Sequence, residues 1–274
     1  MTPQKLLQIP TKQEKKCLVL LRKFISESPS LRQLQTGISW EFSDDFLLRY
    51  IRSRGYNINS AFERLHVHMT TRIILYPELF SRLYPSAVYH MLKSRCARVL
   101  KFRDFKNRRI LLFRISEWNP EIVTVDDLLI GLMLIGWEIL GDMETQINGV
   151  VVLVDGCGFG FKHAKFVSPT VVKKWVEVVL KSTPFKCKKV HIINAPTIFN
   201  MTLSIVKMML PTKLGRRIHF HGHTPSTTLH KYLPPQILPE FLGGELSEQV
   251  AMDNILHDEL FTKAKNDYYK MFLK

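Results

Sequence analysis

Three histidines at alternating positions form the most regular set of residues in the chain that could carry out chemistry. His219, His221 and His223 share one face of a predicted strand, and imidazole groups on one face are typical of a metal site. No cysteine or carboxylate lies beside them in the sequence. We therefore interpret them as exposed or hydrogen-bonded strand residues, and we predict no metal site.

Three glycines, Gly156, Gly158 and Gly160, follow a predicted strand in the manner of a nucleotide-binding loop. The third glycine of a GxGxxG motif would fall at Phe161, however, and the next predicted helix begins only near Ser168. The spacing therefore indicates tight turns. We predict no bound nucleotide and no other cofactor.

No group of residues in the sequence combines a nucleophile with a general acid and a general base. The GxSxG, HExxH and protein-kinase motifs are absent. The neighbouring carboxylates Asp44 and Asp45 follow Ser43 at the start of a predicted helix, where the helix dipole favours them. We predict no catalytic residues and no enzymatic activity.

An amphipathic helix followed by a cluster of cations is the strongest functional signal in the chain. Such a helix suits a cover over an apolar cavity that must also meet an anionic surface. An ordinary surface helix packed on a sheet would show the same pattern. The apolar stripe consists of Phe199, Leu203, Val206 and Leu210, and it is widened by Ile198, Ile205 and Met209. The polar face consists of Asn200, Ser204 and Lys207, and the cations are Lys213, Arg216 and Arg217.

The formal net charge of +15 favours anionic partners such as phospholipid headgroups or nucleic acid. The cations flank the apolar helix instead of alternating with exposed aromatic residues, and no DNA- or RNA-binding motif is present. We therefore predict a membrane surface as partner and no nucleic acid. We also expect a monomer.

Four scattered cysteines without a CxxC pair indicate reduced thiols in the cytosol. The N-terminus lacks the apolar core of a signal peptide, and the longest apolar run, Leu128 to Trp137, is too short to span a bilayer. We expect a cytoplasmic protein with transient peripheral association with membranes.

Helical patterns fill the first eighty or so residues, and from about residue 85 short strands alternate with helices. This alternation predicts an α/β domain with a mostly parallel sheet. Capping patterns at Thr11, Ser43, Ser60, Thr124 and Ser168 mark helix starts. The predicted strands cover 97–102, 110–115, 150–155, 190–193 and 218–221, and the later helices cover 126–145, 168–182 and 198–210.

The predicted helix 126–145 contains Gly131, Gly136 and Gly141 among large apolar residues. Each glycine inside a helix costs about 1 kcal/mol relative to alanine, so three of them need a reason. Close packing of the helix on the sheet is one reason. The other is that a wall without side chains leaves volume for a ligand.

Five segments, taken in order, resemble the CRAL-TRIO lipid-transfer family, most closely its branch with alpha-tocopherol transfer protein and cellular retinaldehyde-binding protein. They are FLLRYIRSRGYNINSAFERL, GVVVLVDGCGF, PFKCKKVHIINAPTIFNMTLSIVKMML, LGRRIHFHG and LPPQILPEFLGGEL. The resemblance implies an N-terminal helical bundle, then a five-stranded, mostly parallel sheet with flanking helices and a lid helix over an apolar pocket. The implied domains are 1–82, 83–250 and a C-terminal helical tail 251–274.

The resemblance also implies a function and its residues. The protein would carry one tocopherol-, retinoid- or carotenoid-like ligand and exchange it at phosphoinositide-containing membranes; the alternative is a phosphoinositide-sensing scaffold without transfer. The implied phosphoinositide site is Lys186, Lys188, Lys213 and Arg217, and the implied lid residues are Ile198, Phe199, Leu203, Val206, Met209 and Leu210. The implied pocket is Leu129, Leu132, Gly136, Val150, Val154, Trp175, Val178, Val179, Phe185 and Val190.

The chain departs from the family pattern at three places. Leu132 and Gly136 stand where the tocopherol site has serines, which predicts a drier wall. Ala195 replaces the carboxylate of the usual Asn-Glu-Pro tripeptide, and this change bears on the lid hinge. Gly215 replaces a cation of that branch, although Arg216 adds one beside it.

Overall fold

The computed structural model describes residues 9–210, 212–222 and 228–272. His223, which the sequence groups with two other histidines, lies outside this part.

The N-terminal helices are α1 Lys12–Glu27, α2 Pro29–Gln35, α3 Asp44–Ser53 and α4 Ile58–Thr70, and α4 continues into π-helical turns over Thr71–Leu75. These helices pack on one another around a core that includes Leu21, Leu47, Ile51 and Leu65.

Two predicted helix starts illustrate how caps set the boundaries of this region. The capping box at Thr11 is confirmed, since its hydroxyl accepts a hydrogen bond from the Glu14 amide at 3.2 Å and the Glu14 carboxylate accepts one from the Thr11 amide at 2.9 Å. The predicted cap at Ser60 is wrong. Asn57 caps α4 instead, its side-chain oxygen accepting from the Ser60 amide at 2.9 Å, because Asn is as good a cap as Ser and comes one turn earlier.

The remaining helices, in order, connect and cover a sheet. They are α5 Pro77–Phe80, α6 Tyr89–Ser94, α7 Val125–Ile139, α8 Met143–Asn148, α9 Phe161–Ala164, α10 Pro169–Trp175 with π-helical turns over Val176–Ser182, α11 Thr197–Met209, α12 Thr212–Gly215, α13 Glu248–Ala251, α14 Asn254–Glu259 and α15 Lys263–Lys270. The single predicted helix 126–145 is wrong, because Asp142 caps the separate helix α8 by accepting from the Thr145 amide at 2.9 Å. Gly141 therefore lies between two helices.

A five-stranded sheet with the order β1-β2-β3-β4-β5 confirms the predicted α/β class. The strands are β1 Ala97–Val99, β2 Arg109–Arg114, β3 Val150–Asp155, β4 Cys187–Ile193 and β5 Ile218–Phe220. β1 is antiparallel to β2, and the other neighbours are parallel. Parallel strands of this kind are covered on both faces, which fits the continuous apolar run of β3.

The two faces of the sheet have different environments. Val151 and Leu153 point to one face, where the segment after β5 covers them with leucines that include Leu229 and Leu233. Because side chains alternate along a strand, their neighbours Val152 and Val154 point to the other face, towards α7 and α10. A cavity lies on this second side.

The N-terminal helices are joined to the rest of the chain by a buried hydrogen bond from Arg52, which also pairs with Glu14, and by Trp137. Arg52 Nε on α3 donates to the Glu14 carboxylate at 2.6 Å, and Arg52 Nη1 donates to the side chain of Gln146 on α8 at 3.0 Å. Trp137 packs against the cores of both regions. The predicted domain boundary near residue 82 stays a prediction.

His191 on β4, His219 on β5 and His221 directly after β5 lie close together on the face of the sheet that also carries Leu153. His191 Nδ1 and His221 Nε2 share a hydrogen bond of 2.7 Å, and the rings of His191 and His219 stack with centroids 5.5 Å apart. His221 also bonds Thr228 Oγ1 at 2.8 Å. No group of three or more His, Cys, Asp or Glu side chains in the described ranges is arranged so that it could hold a metal ion.

Acidification is expected to destabilise the protein through His191. Burial, followed by His221, His219, Lys189 and Arg108, lowers its pKa from 6.5 to about 3. Because the folded pKa is depressed, the unfolded state binds more protons between pH 6.5 and 3, and stability falls as the pH falls through this window at up to about 1.4 kcal/mol per pH unit. Urea unfolding of His191→Gln should show a flatter decline, whereas exposed His90→Gln should match the wild type.

Candidate functional site

A cavity of about 410 Å³ lies between the sheet, α7, α10 and α11. Its floor is made by alternate residues of neighbouring strands, among them Leu111 and Phe113 of β2, Val152 and Val154 of β3, and Val190 of β4. The described lining contains no titratable acid, base or histidine other than the thiol of Cys187, which is buried. The chemistry of this cavity is therefore the exclusion of water from an apolar guest.

The sequence leaves two explanations for the glycines of α7, close packing and space for a ligand, and Gly131 and Gly136 differ in this respect. A Cβ on Gly131 would lie 2.0 Å from Met91 Sδ, so this glycine permits close packing. A Cβ on Gly136 would meet only the Phe185 ring, at 3.8 Å, and Gly136 lines the cavity together with Leu132 one turn earlier. Gly136 thus leaves room in the cavity wall.

Most of the pocket residues inferred from the sequence line this cavity, and three do not. Leu129, Val150 and Val178 are fully buried in the neighbouring core. Leu129 and Val178 lie beside the helical residues that line the cavity, and Val150 lies at the start of β3, before the strand reaches the cavity. The sequence reasoning missed Phe113, Val152 and further residues of the walls. Those that line the cavity as inferred are Leu132, Gly136, Val154, Trp175, Val179, Phe185 and Val190.

Helix α11 closes one side of the cavity with Phe199 and Val206, together with Leu210 directly after the helix. The Phe199 ring meets the Phe159 ring edge-on, with centroids 5.1 Å apart. Ile198, Leu203 and Met209, which the sequence also assigns to the lid, are not part of the lining, although all three are partly buried.

The outer face of α11 carries exposed apolar residues beside Asn200, Ser204 and Lys207, which are exposed as the sequence predicts. Met201, Ile205 and Met208 are 66%, 55% and 80% exposed. Ile205, predicted to widen the inner stripe, is therefore on the solvent side. Phe161 on α9, the helix that contacts α11, is also exposed. An exposed apolar surface of this kind marks a site of contact with a membrane or another protein.

The chain enters α11 through a constrained corner. Asn194 has a left-handed backbone with φ of 50°, and its side-chain Nδ2 donates to Asp155 Oδ1 at the end of β3 at 3.0 Å. A Cβ on Gly156 would lie 2.9 Å from Ala195 Cα, so the two chain segments touch here. The segment that leads into α11 is thus anchored to the sheet, although it has Ala195 in place of the glutamate of the Asn-Glu-Pro tripeptide.

The cations inferred from the sequence lie at the start of β4 and after α11. Arg217 Nη1 donates to the Cys187 carbonyl, and Lys186 Nζ donates to the Ile147 carbonyl at 2.9 Å. Burial lowers the pKa of Lys188, and nearby Arg217 lowers it further. Lys213 is exposed on α12. The structure therefore brings Lys186, Lys188 and Arg217 together.

A surface groove of about 550 Å³ adds cations that sequence reasoning missed. Arg54, Arg64, Lys181 and Lys186 line it, with Glu63 as the carboxylate in its described lining. Burial lowers the pKa of Arg64 to about 10, and burial followed by Lys188 and Arg54 lowers that of Lys186. Crowded, partly buried cations of this kind favour an anionic ligand.

The four cysteines differ in accessibility. Cys17, Cys96 and Cys187 are buried, Cys157 is exposed, and all four are free thiols. Burial raises the pKa of Cys96 and of Cys187 to about 11. None of the helices in the described part of the chain is long and apolar enough to cross a bilayer.

Comparisons with known proteins agree with this geometry. A family model described as CRAL/TRIO domain matches residues 93–244. Alpha-tocopherol transfer protein-like of Homo sapiens is 29% identical over 243 residues, or 88% of this chain and 69% of that protein, and the Mus musculus protein of that name is 31% identical over 236 residues, or 86% and 67%. Clavesin-1 of Xenopus laevis is 29% identical over 228 residues, or 82% and 66%. The crystal structure of Sfh5 shares the fold, with a TM-score of 0.58 at 14% identity over 97% of this chain and 96% of that one.

Proposed function

Because this chain belongs to the CRAL/TRIO family of lipid-binding and lipid-transfer proteins, we propose that it carries one small hydrophobic ligand and exchanges it at phosphoinositide-containing membranes. The ligand is tocopherol-, retinoid- or carotenoid-like, and the protein acts in the cytoplasm with transient contact to the membrane. The observation that carries this proposal is the apolar cavity of about 410 Å³ beneath a helix that also exposes Met201, Ile205 and Met208 on its outer side.

The energetics of the cavity support a lipid. Each 100 Å² of apolar ligand surface removed from water contributes about 2.5 kcal/mol, so tight binding needs no polar contact. The hydroxyl of Thr183, the one hydroxyl in the described lining, already donates to the Val179 carbonyl at 2.6 Å. A ligand with few polar atoms is therefore favoured.

Opening of α11 would expose its inner face, and a membrane lowers the cost of that exposure by accepting this face together with the exposed apolar side chains of the outer one. Replacing Ile205 and Met208 together by serine should weaken binding to lipid vesicles at least tenfold, since each inserted side chain contributes about 1.5–3 kcal/mol. Vesicle cosedimentation measures this. The same double change at Val19 and Leu20, which are exposed on α1, is the control and should have little effect. Equal losses in both pairs would contradict a membrane role for α11.

Charge reversal tests the phosphoinositide part of the proposal. Lys188→Glu with Lys213→Glu should reduce ligand transfer to phosphoinositide vesicles at least roughly thirtyfold, because each lost cation contributes about 1 kcal/mol at an anionic surface and each new carboxylate is repelled by it. Retention of ligand in solution should be unchanged, as neither side chain lines the cavity. Lys12→Glu with Lys16→Glu on exposed α1 positions is the matched control. Undiminished transfer by the first variant would refute the assignment.

The basic groove lies outside the cavity, and this favours one alternative, a phosphoinositide-sensing scaffold without transfer. Organic extraction of the purified protein followed by mass spectrometry separates the two functions. A carrier should yield about one hydrophobic molecule per chain, and its mass identifies the ligand. Headgroup binding by a protein that neither contains nor takes up such a molecule would establish the scaffold instead.

A further inference from the structure

A second cavity, of about 300 Å³, lies between the N-terminal helices and the C-terminal helix α15. Its residues come from the segment before α3, from α3, α4 and α7, and from α15 with Phe272 behind it. Trp137 is the one described residue that lines both this cavity and the apolar one. The family model matches residues 93–244, so most of the lining falls outside the matched part.

Aromatic rings form the walls of this second cavity. The Trp40 ring lies edge-on to Phe46 and to Phe272, with centroid distances of 5.2 and 5.3 Å. Phe46 stacks on Trp137 at 5.9 Å with an interplanar angle of 18°. Together these rings present flat apolar surfaces that suit a flat apolar group.

The charges in the cavity are paired except at Arg72. Arg49 pairs with Asp45 at 2.8 Å, and Lys265 pairs with Glu138 at 2.7 Å. Arg72 is 8% exposed, donates to the Phe272 carbonyl and lies over the Trp40 ring at 5.5 Å, but within the described ranges it has no carboxylate partner. A buried guanidinium without a counter-charge is costly, so this side chain calls for an anion.

Three nitrogen atoms of the lining are also unsatisfied. Trp40 Nε1, Arg49 Nε and His68 Nδ1 are buried and make no hydrogen bond within the part of the chain that is described. His68 is 1% exposed. The indole and guanidinium nitrogens can only donate, and so they require an acceptor.

We propose that this cavity binds a small organic oxyanion, a carboxylate or phosphate monoester on a flat apolar body. Arg72 neutralises the anionic group, the free N–H groups donate to its oxygens, and the aromatic walls hold the apolar body. This inference is independent of the lipid ligand, because the two cavities share a single lining residue in the described chain.

Titration calorimetry of the full chain with benzoate and with phenyl phosphate tests the inference. At least one should bind at least tenfold more tightly than neutral benzyl alcohol and than inorganic phosphate, which lacks the apolar body; which anion binds better distinguishes a carboxylate from a phosphate ligand. Arg72→Gln should weaken this binding at least tenfold, and Trp40→Phe severalfold. Arg82→Gln, which removes an arginine paired with Asp127 at the surface, should leave it unchanged.

Thermal unfolding of each variant establishes that it is folded. If Arg72→Gln does not fold, the binding measured for Trp40→Phe decides the test. A Gly136→Trp variant, which fills the apolar cavity, should bind the anions normally. Any of three results would overturn the inference. They are the absence of saturable binding up to tens of millimolar, undiminished binding by folded Arg72→Gln and Trp40→Phe, and loss of binding in Gly136→Trp but in neither of those two variants. A crystal grown with the probe that shows only water in the cavity that Trp40 and Arg72 line would also overturn it.

Discussion

Replacing Gly136 by tryptophan should abolish retention of the hydrophobic ligand while leaving the protein folded. The new side chain begins where a Cβ meets only the Phe185 ring at 3.8 Å, and it extends into the cavity of about 410 Å³. We expect at least a hundredfold loss of affinity, or about 2.7 kcal/mol, because the indole takes the place of the guest. Mass spectrometry of the extracted protein and thermal unfolding measure the two quantities.

Two substitutions serve as controls for this result. Gly136→Ala adds one methyl group at an ordinary contact distance and should retain the ligand. Gly131→Ala should lower stability without changing the cavity, since its methyl group would lie 2.0 Å from Met91 Sδ and force that side chain to move. Full ligand occupancy in a folded Gly136→Trp protein would show that the guest lies elsewhere.

Replacing Glu14 by glutamine should destabilise the protein by about 3–5 kcal/mol, because it leaves the Arg52 charge buried without a counter-charge. Glu14 and Arg52 are 1% and 2% exposed and bond at 2.6 Å. The hydrogen bond from Arg52 is the largest cause of the lowered pKa of Glu14. The free energy of unfolding in urea measures the loss.

The control for Glu14→Gln is an exposed ion pair on the same helices. Asp44→Asn removes a carboxylate paired with Arg22, where both side chains are about half exposed, and should cost less than about 1 kcal/mol. Replacing Glu14 and Arg52 together by apolar residues of similar size should cost less than either single change. A loss below 1 kcal/mol for Glu14→Gln would mean that water reaches the pair.

Local signals in the sequence predict the local features of the fold. Thr11 and Thr124 cap helices as expected, and the continuous valines of β3 lie inside the sheet. Two signals for an interruption were present and missed: Gly141 and Asp142 are typical stop and start residues, and they divide α7 from α8. The split of helix 126–145 could therefore have been predicted.

Features formed by distant segments could not be predicted from spacing. Arg54 and Arg64 come from the N-terminal helices and reach Lys186 only because α4 packs against the π-helical turns that follow α10. The outer face of α11 shows the same limit. Helical periodicity identifies an apolar stripe, but the docking of α11 on the sheet decides that Val206 faces inwards and Ile205 outwards.

The unequal accessibility of the four thiols has a practical consequence. Cys157 lies between β3 and α9, and α9 packs against α11, while the other three thiols are shielded. A maleimide dye added to the native chain should therefore attach at this single position, without engineered substitutions. If α11 opens as proposed, the emission of the dye would report that movement in real time.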